Sequence, residues 1–565
     1  MTVNEIPRTV AEAYVRTTRR LPEKEAIVGD DGRRYTYRQV QEEVERLATA
    51  LHMLDCRPGA RVAVWLPNCP EWVFAEFACA VLGVLLVPIN ARFRADEAAY
   101  ALRESRATVL ITRSRFLTNN YLDRLNEIAK GEIGRGEHAE IEGLPELGSV
   151  VLVDGGAVPG TVSLSDVLAR ADETASDLDF EALAAERTPE EPAWIFWTSG
   201  TTGHPKGAVL PNHCISNVWN WTSLAAGIDE NDRILTSFPV FYIGGNFWCI
   251  LAAMVHGATL VISATFEAES VVERCQTERV TVLSGIPFML KEIVHDPQFD
   301  PAAFASVRVG FFGGASMPHD DIVTLVERIG YEHFIQIYGM TELHGIAVTS
   351  RSTDSREIQL TTCGTPLPGF DMKLVDPATG LEVESVGTGE AWFKGRTHLR
   401  YEGLTEEERA QFYSPDGYFK TGDVLHRRAD GRYEFVTRVK DLIKVGGENV
   451  AAAEIERVLK EHPKIFNIQV VGVVDDRRGE VPAAFIELQP GESELTLDEL
   501  RQWARPRLAP FKVPRHLKLM GFEDWPRTSS AKIARFELAP LLGIDRGFDT
   551  AERPCLDATS VTAGE

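Results

Sequence analysis

Trp194-Ile-Phe-Trp-Thr-Ser-Gly-Thr-Thr-Gly-His-Pro-Lys-Gly-Ala208 is an apolar strand that runs straight into hydroxyls, glycines and a lysine. Glycines such as Gly200 and Gly203 let backbone N–H groups approach an anion closely. The hydroxyls of Thr198, Ser199, Thr201 and Thr202 add donors, and Lys206 adds charge. Together they have the chemistry of a polyphosphate cradle. It is not the GxxxxGK[ST] loop of common nucleotidases, because Pro205 precedes Lys206 and Gly207 follows it.

Upstream, apolar runs alternate with helical patterns. Strands are expected over 61–66, 84–87 and 107–112, and helices over 70–82 and 95–105. This alternation predicts an α/β fold with mostly parallel sheet. The polar, Glu/Gly-rich stretch 125–149 reads as a surface loop or insertion and the acidic stretch 172–192 as a spacer. The apolar run 247–264 is divided by His256-Gly257 and reads as a buried helix followed by a strand, so no transmembrane segment is expected. Glycine-rich turns and short strands, such as 390–394 and 433–437, fill 364–447. After Lys440 the pattern resets to a small α+β unit. It has a helix over 452–460, strands over 465–474 and 483–488, and a helix over 497–505 capped by Thr496.

A chain of 565 residues exceeds the ~250–300 that a single core serves. With 44% hydrophobic and 25% charged residues, it has a globular composition that excludes global disorder. Lys and Arg number 59 against 83 Asp and Glu, a net charge of −24. That argues against nucleic acid as a partner, while a local cationic cluster can still hold a small anion. The eight cysteines form no CxxC pair, and the start lacks the apolar core of a signal peptide. Both suit a cytoplasmic protein.

Six further motifs follow in order: Phe238-Pro-Val-Phe-Tyr-Ile-Gly-Gly245, Gly313-Gly-Ala315, Gln336-Ile-Tyr-Gly-Met-Thr-Glu342, Tyr418-Phe-Lys-Thr-Gly-Asp423, Thr437-Arg-Val-Lys-Asp-Leu-Ile-Lys-Val-Gly-Gly-Glu-Asn449 and Pro526-Arg-Thr-Ser-Ser-Ala-Lys532. With them the chain resembles the adenylate-forming (AMP-binding) superfamily over roughly residues 10–542. It looks most like the fatty-acyl and carnitine-type CoA ligases. The resemblance implies a large N-terminal adenylation domain (1–437) with mostly parallel sheets, a hinge (438–441) and a small mobile α+β C-terminal domain (442–543); the stretch 544–565, with few apolar residues and no period, reads as a disordered tail.

The implied reaction joins a carboxylic acid to AMP at the expense of ATP, releasing pyrophosphate, and then transfers the acyl group to coenzyme A. The alternative is a stand-alone adenylating enzyme that loads a carrier protein in trans. A nucleotide-binding protein without catalysis is argued against by the joint presence of Thr341, Glu342 and Lys532. By resemblance, the ATP/AMP site comprises Thr198, Ser199, Gly200, Thr201, Thr202, Gly203, Lys206, Gly313, Gly314, Ala315, Gln336, Ile337, Tyr338, Gly339, Asp423 and Arg438. Tyr338 would stack on adenine, Asp423 would accept the ribose hydroxyls, Thr341 would contact the α-phosphate and Glu342 would hold Mg²⁺. Lys532 would bridge the acid and the α-phosphate. The acid pocket would include Tyr242, Gly245, Asn246, Gly314, Leu343 and His344. Here His344 reads equally as a substrate contact or as a core histidine. Lys440 would be the hinge, and Lys444, Gly446 and Gly447 would line the CoA channel.

Four positions depart from the family pattern. Tyr242 stands for a usual histidine, Trp197 for tyrosine, and Thr437 and Ala531 for glycines. The oligomeric expectation extends to a homodimer.

Overall fold

The computed structural model describes residues 6–156, 158–174, 178–198, 205–236, 238–314, 317–445, 448–475, 477–527 and 533–543, without the side chains of 448 and 449. Two large sheets carry most of the chain. In the first, eight strands run in the order 162–163, 149–152, 109–112, 61–65, 85–88, 192–198, 206–211 and 400–402. Pairing is parallel as far as Pro192–Thr198 and antiparallel beyond it. In the second, nine strands run in the order 34–36, 25–28, 259–262, 233–236, 282–283, 309–312, 333–338, 348–349 and 365–366. Its six inner strands, from Glu25–Val28 to His333–Tyr338, are parallel.

One apolar core joins the two sheets through the helices between them. Trp194 and Phe196 reach it from one sheet, Val309 and Phe311 from the other, and Trp72 and Phe77 from the helix Pro70–Leu82. That helix begins on Pro70 and ends on Gly83 in the left-handed conformation, so its limits are those expected. The helix Ala95–Ser105 also matches. The run 247–264 folds as expected, into helix as far as His256 and the strand Thr259–Ile262.

Two expectations need correction. The stretch 125–149 is not simply surface loop: the helix Tyr121–Ala129 enters it, and Leu125, Ile133, Ile141, Leu144 and Leu147 are buried under the first sheet. Single apolar residues spaced among polar ones pin a non-periodic segment that no helical or strand period reveals. The spacer 172–192 contains the helix Phe180–Ala185, capped by Asp179 and holding Ala184 in the core.

A four-stranded antiparallel sheet follows, with Phe370–Val375, Gly387–Gly395, Phe419–Arg427 and Tyr433–Arg438 in order. After the turn Val439–Asp441, a further sheet forms from Leu442–Val445, Glu448–Ala451, Ile465–Asp475, Gly479–Leu488 and His516–Leu519. The helices Ala452–Lys460 and Leu497–Ala504 supply side chains to its own apolar core, including Ile455, Leu459 and Leu500. Thr496 caps the second helix by accepting from the Glu499 N–H.

Candidate active site

The quoted stretch forms a hairpin. Pro192–Thr198 pairs antiparallel with Lys206–Pro211, with Thr198 opposite Lys206. The element after the glycine-rich residues is the strand Lys206–Pro211 and not a helix. Ser199, Gly200, Thr201, Thr202 and Gly203 lie outside the described residues, as do Ala315, Gly446, Gly447 and Lys532.

Gln336, Ile337 and Tyr338 end the strand His333–Tyr338, and Gly313 and Gly314 follow the end of Val309–Phe312. Both sets therefore stand at the carboxyl edge of the parallel sheet, where open α/β sheets bind ligands. Beyond Gly339 and Met340 the chain makes the tight turn Thr341–Leu343. A Cβ on Gly339 would stand 2.3 Å from the Gly345 carbonyl oxygen, so only glycine lets the two segments approach.

That turn buries Glu342 against the hairpin. One carboxylate oxygen, Oε1, accepts from Tyr401 Oη at 2.8 Å and from Thr198 Oγ1 at 3.4 Å, and it faces Lys206 Nζ at 3.5 Å. Lys206 in turn donates to Tyr401 Oη at 3.0 Å, and its ammonium lies 4.0 Å from the Phe412 ring centroid. Burial pushes the Glu342 carboxyl up, but Lys206, His398 and the Tyr401 hydroxyl outweigh it and hold the group below its ordinary value. Burial also pulls the Lys206 ammonium down, partly offset by Glu342. His398, whose N–H donates to the Glu342 carbonyl, is pulled down to about 4 by burial and is neutral near pH 7.

Sequence reasoning missed Tyr401, His398 and Phe412. Tyr401 sits on the short strand Arg400–Glu402, opposite Ala208 of the hairpin. Its distance along the chain from either partner left no local signal.

A second cluster forms around Asp423. It is the cross-strand partner of Arg438, whose Nε lies 3.2 Å from Oδ1, and its Oδ2 accepts from Tyr338 Oη at 3.1 Å. Tyr338 is buried and stacks near Phe393 and Phe435. The structure thus couples two residues, Tyr338 and Asp423, that the sequence assigned to separate parts of one nucleotide.

In the expected acid pocket, Tyr242 Oη accepts from Asn90 Nδ2 at 3.0 Å. A Cβ on Gly245 would meet the Pro239 carbonyl oxygen at 2.4 Å. Leu343 and Asn246 are fully buried. His344 is a buried residue with left-handed backbone, its Nε2 lying 3.2 Å from the Thr397 carbonyl oxygen and its ring 5.1 Å from that of His213.

Lys444 is exposed on Leu442–Val445 and is not brought to the Glu342 cluster; its backbone N–H donates to Glu480. Lys440 is exposed in the turn Val439–Asp441. Arg527 and Ile533, which flank the segment containing Lys532, pair as an antiparallel bridge. The Arg527 guanidinium lies 5.3 Å from the Phe288 ring centroid, on the helix Pro287–His295 of the second large sheet's layer.

The sequence matches the AMP-binding enzyme family over residues 14–400 and the AMP-binding enzyme C-terminal domain over 454–532. It is 30% identical over 538 residues to the medium-chain acyl-CoA ligase ACSF2, mitochondrial, of Mus musculus, covering 94% of this chain and 87% of that one. It is also 30% identical over 539 residues to the putative acyl-CoA synthetase YngI of Bacillus subtilis, covering 94% and 97%. Among solved structures, an anthranilate CoA ligase, AuaEII, bound to anthranoyl-AMP superposes with TM-score 0.82 at 25% identity, covering 96% of this chain and 99% of that one. The o-succinylbenzoate CoA synthetase of Bacillus subtilis, bound to its acyl-adenylate, superposes with TM-score 0.74 at 26% identity, covering 93% and 97%. The glycine-rich hairpin, the buried Glu342 beside it and the coverage of both family regions agree, and the chain belongs to the AMP-binding enzyme family as an AMP-forming acid–CoA ligase.

Proposed function

We propose that Glu342, Lys206, Thr198 and Tyr401 hold the phosphates of ATP, that Asp423, Tyr338 and Arg438 hold its nucleoside, and that Lys532 and Thr341 serve the reacting centre. The observation that carries this reading is the convergence of Glu342, Lys206 and Thr198 at the two ends of the glycine-rich turn. A carboxylate oxygen of the acid attacks the α-phosphorus and the bond to pyrophosphate breaks, leaving acyl-AMP. The CoA sulfur then attacks the acyl carbon and the bond to AMP breaks. Two anions must meet in the first step, so positive charge placed in advance, from Lys206 and Lys532, supplies most of the acceleration.

The donor set suits Mg²⁺. Among the described residues no group of three or more His, Cys, Asp or Glu side chains is placed to hold a metal, and Mg²⁺ takes one or two carboxylates plus substrate phosphates rather than a protein cage. Glu342 would hold it, and the ion would neutralise phosphate charge. Asp423 and Arg438, as a cross-strand pair, orient the ribose end. Tyr242, anchored by Asn90, occupies the mouth of the acid pocket.

Residues 1–437 form the adenylating part in this reading, 438–441 the hinge and 442–543 the moving part that carries Lys532. Among the described residues no helix is long and apolar enough to cross a membrane. The test is a panel of carboxylic acids scored for acid-dependent exchange of pyrophosphate into ATP and for CoA thioester. Exchange without CoA thioester, together with loading of a holo-carrier protein, would replace CoA by a carrier as acceptor. Absence of exchange with every acid would overturn the reading.

A further inference from the structure

A second polar group lies away from the phosphate-holding residues, inside the core that joins the two sheets. The helix Pro70–Leu82 is buried on nearly every side and is apolar almost throughout, as such helices are. Glu76 breaks that pattern at 1% exposure. Its Oε1 accepts from Trp194 Nε1 at 3.1 Å, on the strand that leads into the phosphate turn. Its Oε2 has no hydrogen-bond partner among the described residues.

Asn246 comes toward Glu76 from the helical segment that follows Gly245. It is 0% exposed, and its side-chain amide approaches the Glu76 carboxyl closely enough to favour the ionised form, while neither Nδ2 nor Oδ1 reaches full hydrogen-bond geometry. Two residues on, Trp248 is buried with its Nε1 likewise unpartnered, 3.6 Å from where a Cβ on Gly345 would stand. Asn246 opens a π-helical turn, a geometry common at functional sites. Its N–H bonds back to the Tyr242 carbonyl, which ties it to the pocket mouth.

Buried polar atoms in native proteins are almost always bonded, because an unmade bond costs the full desolvation of the group. Four such atoms on Glu76, Asn246 and Trp248 are an expense that leucine and phenylalanine would avoid. We propose that Glu76 and Asn246 bind the far end of the carboxylic acid substrate, and that this substrate carries an uncharged hydroxyl or amide there. The proposal rests on the ligase reading above, since the pocket is that reaction's acid pocket.

The charge state of the site selects a neutral group. Burial pushes the Glu76 carboxyl up to about 8, against smaller opposing effects of Asn246 and Trp194. Near pH 7 it is therefore mainly a carboxylic acid, offering one donor and one acceptor, and Asn246 offers both as well. A hydroxyl or amide donates and accepts in return. A charged end would be desolvated without a counter-charge, and a plain alkyl end would leave the four atoms bare.

The test uses the full-length protein with matched pairs of acids, ω-hydroxy against unsubstituted, of about four to ten carbons. Affinity is read by calorimetric titration and turnover by CoA thioester formation. At the fitting length the hydroxy acid binds at least about tenfold tighter. Asn246→Leu removes that preference, whereas Glu76→Gln, which keeps a neutral donor and acceptor, retains it. Should Asn246→Leu fail to fold, Glu76→Leu with the wild-type pairwise comparison takes its place. Equal affinity within every pair, or a preference that survives Asn246→Leu, overturns the proposal. Thioester formation with no pairwise preference overturns it alone, whereas a binding preference without any thioester overturns only the ligase reading.

Discussion

Glu342 and Glu76 are both buried carboxyls, and their surroundings drive them in opposite directions. Glu342 has an ammonium, a phenol and a threonine hydroxyl around one oxygen, so its folded-state pKa lies below its ordinary 4.5. A depressed carboxyl stabilises the fold above the unfolded pKa, and that contribution is lost as pH falls through the folded value. Glu342→Gln should therefore lose less stability than the wild type as pH falls below about 4.5, by the part that Glu342 contributes, in urea denaturation. In activity the same change should cost about a hundredfold or more in pyrophosphate exchange, since on the reading proposed above the carboxylate holds the ion that offsets phosphate charge. Tyr401→Phe removes the hydroxyl that links Lys206 to Glu342, two hydrogen bonds in all, and should cost about tenfold.

Glu76 gives the reverse sign. Its folded pKa, about 8, is above the unfolded one, so its contribution is complete below about pH 4.5 and is lost as pH rises to 8. Glu76→Gln should therefore gain stability relative to wild type between pH 5 and 8, by up to about 1.4 kcal/mol per pH unit, in thermal or urea denaturation. A difference independent of pH would mean that the carboxyl is ionised in the fold.

At the scale of elements, the antiparallel hairpin is what turns a glycine-rich sequence into a site. It brings Thr198 opposite Lys206, and the strand Arg400–Glu402 added to its edge brings Tyr401 against both. The turn Thr341–Leu343 supplies Glu342 only because Gly339 lets it fold over Gly345. Gly339→Ala should therefore displace this turn, reducing stability by about 1–3 kcal/mol in urea denaturation and lowering adenylation more than acid binding. Unchanged exchange kinetics would show that the turn is adaptable.

Strongly periodic elements such as 70–82 and 95–105 were legible in the sequence, because burial on a defined face imposes a period. The segments under the first sheet were not, since isolated apolar residues such as Ile133 and Ile141 show no period.

At the scale of the whole molecule, Lys532 and Lys440 belong to the part that follows the four-stranded sheet. If that part serves the two half-reactions in turn, Lys532→Ala should suppress acyl-AMP formation far more than transfer from supplied acyl-AMP to CoA. Lys440→Pro should do the opposite by restricting backbone rotation at the turn Val439–Asp441. Stopped-assay measurement of each half-reaction separates them, and equal loss of both steps in either variant would remove the assignment. The net charge of −24 belongs to the whole chain, and in the site Lys206 and Arg438 are each paired with a carboxylate, Glu342 and Asp423.

By itself the sequence determined the alternating α/β architecture, the glycine-rich motif and the family. These depend on local period and on motifs whose residues lie within a few positions of one another. Only the tertiary structure decided that Tyr401 joins Lys206 to Glu342, that Tyr338 and Asp423 are one hydrogen-bonded unit, and that Glu76 meets Asn246 in the core. Those groups are far apart along the chain, and their roles come from burial and mutual approach, which no single stretch of residues encodes.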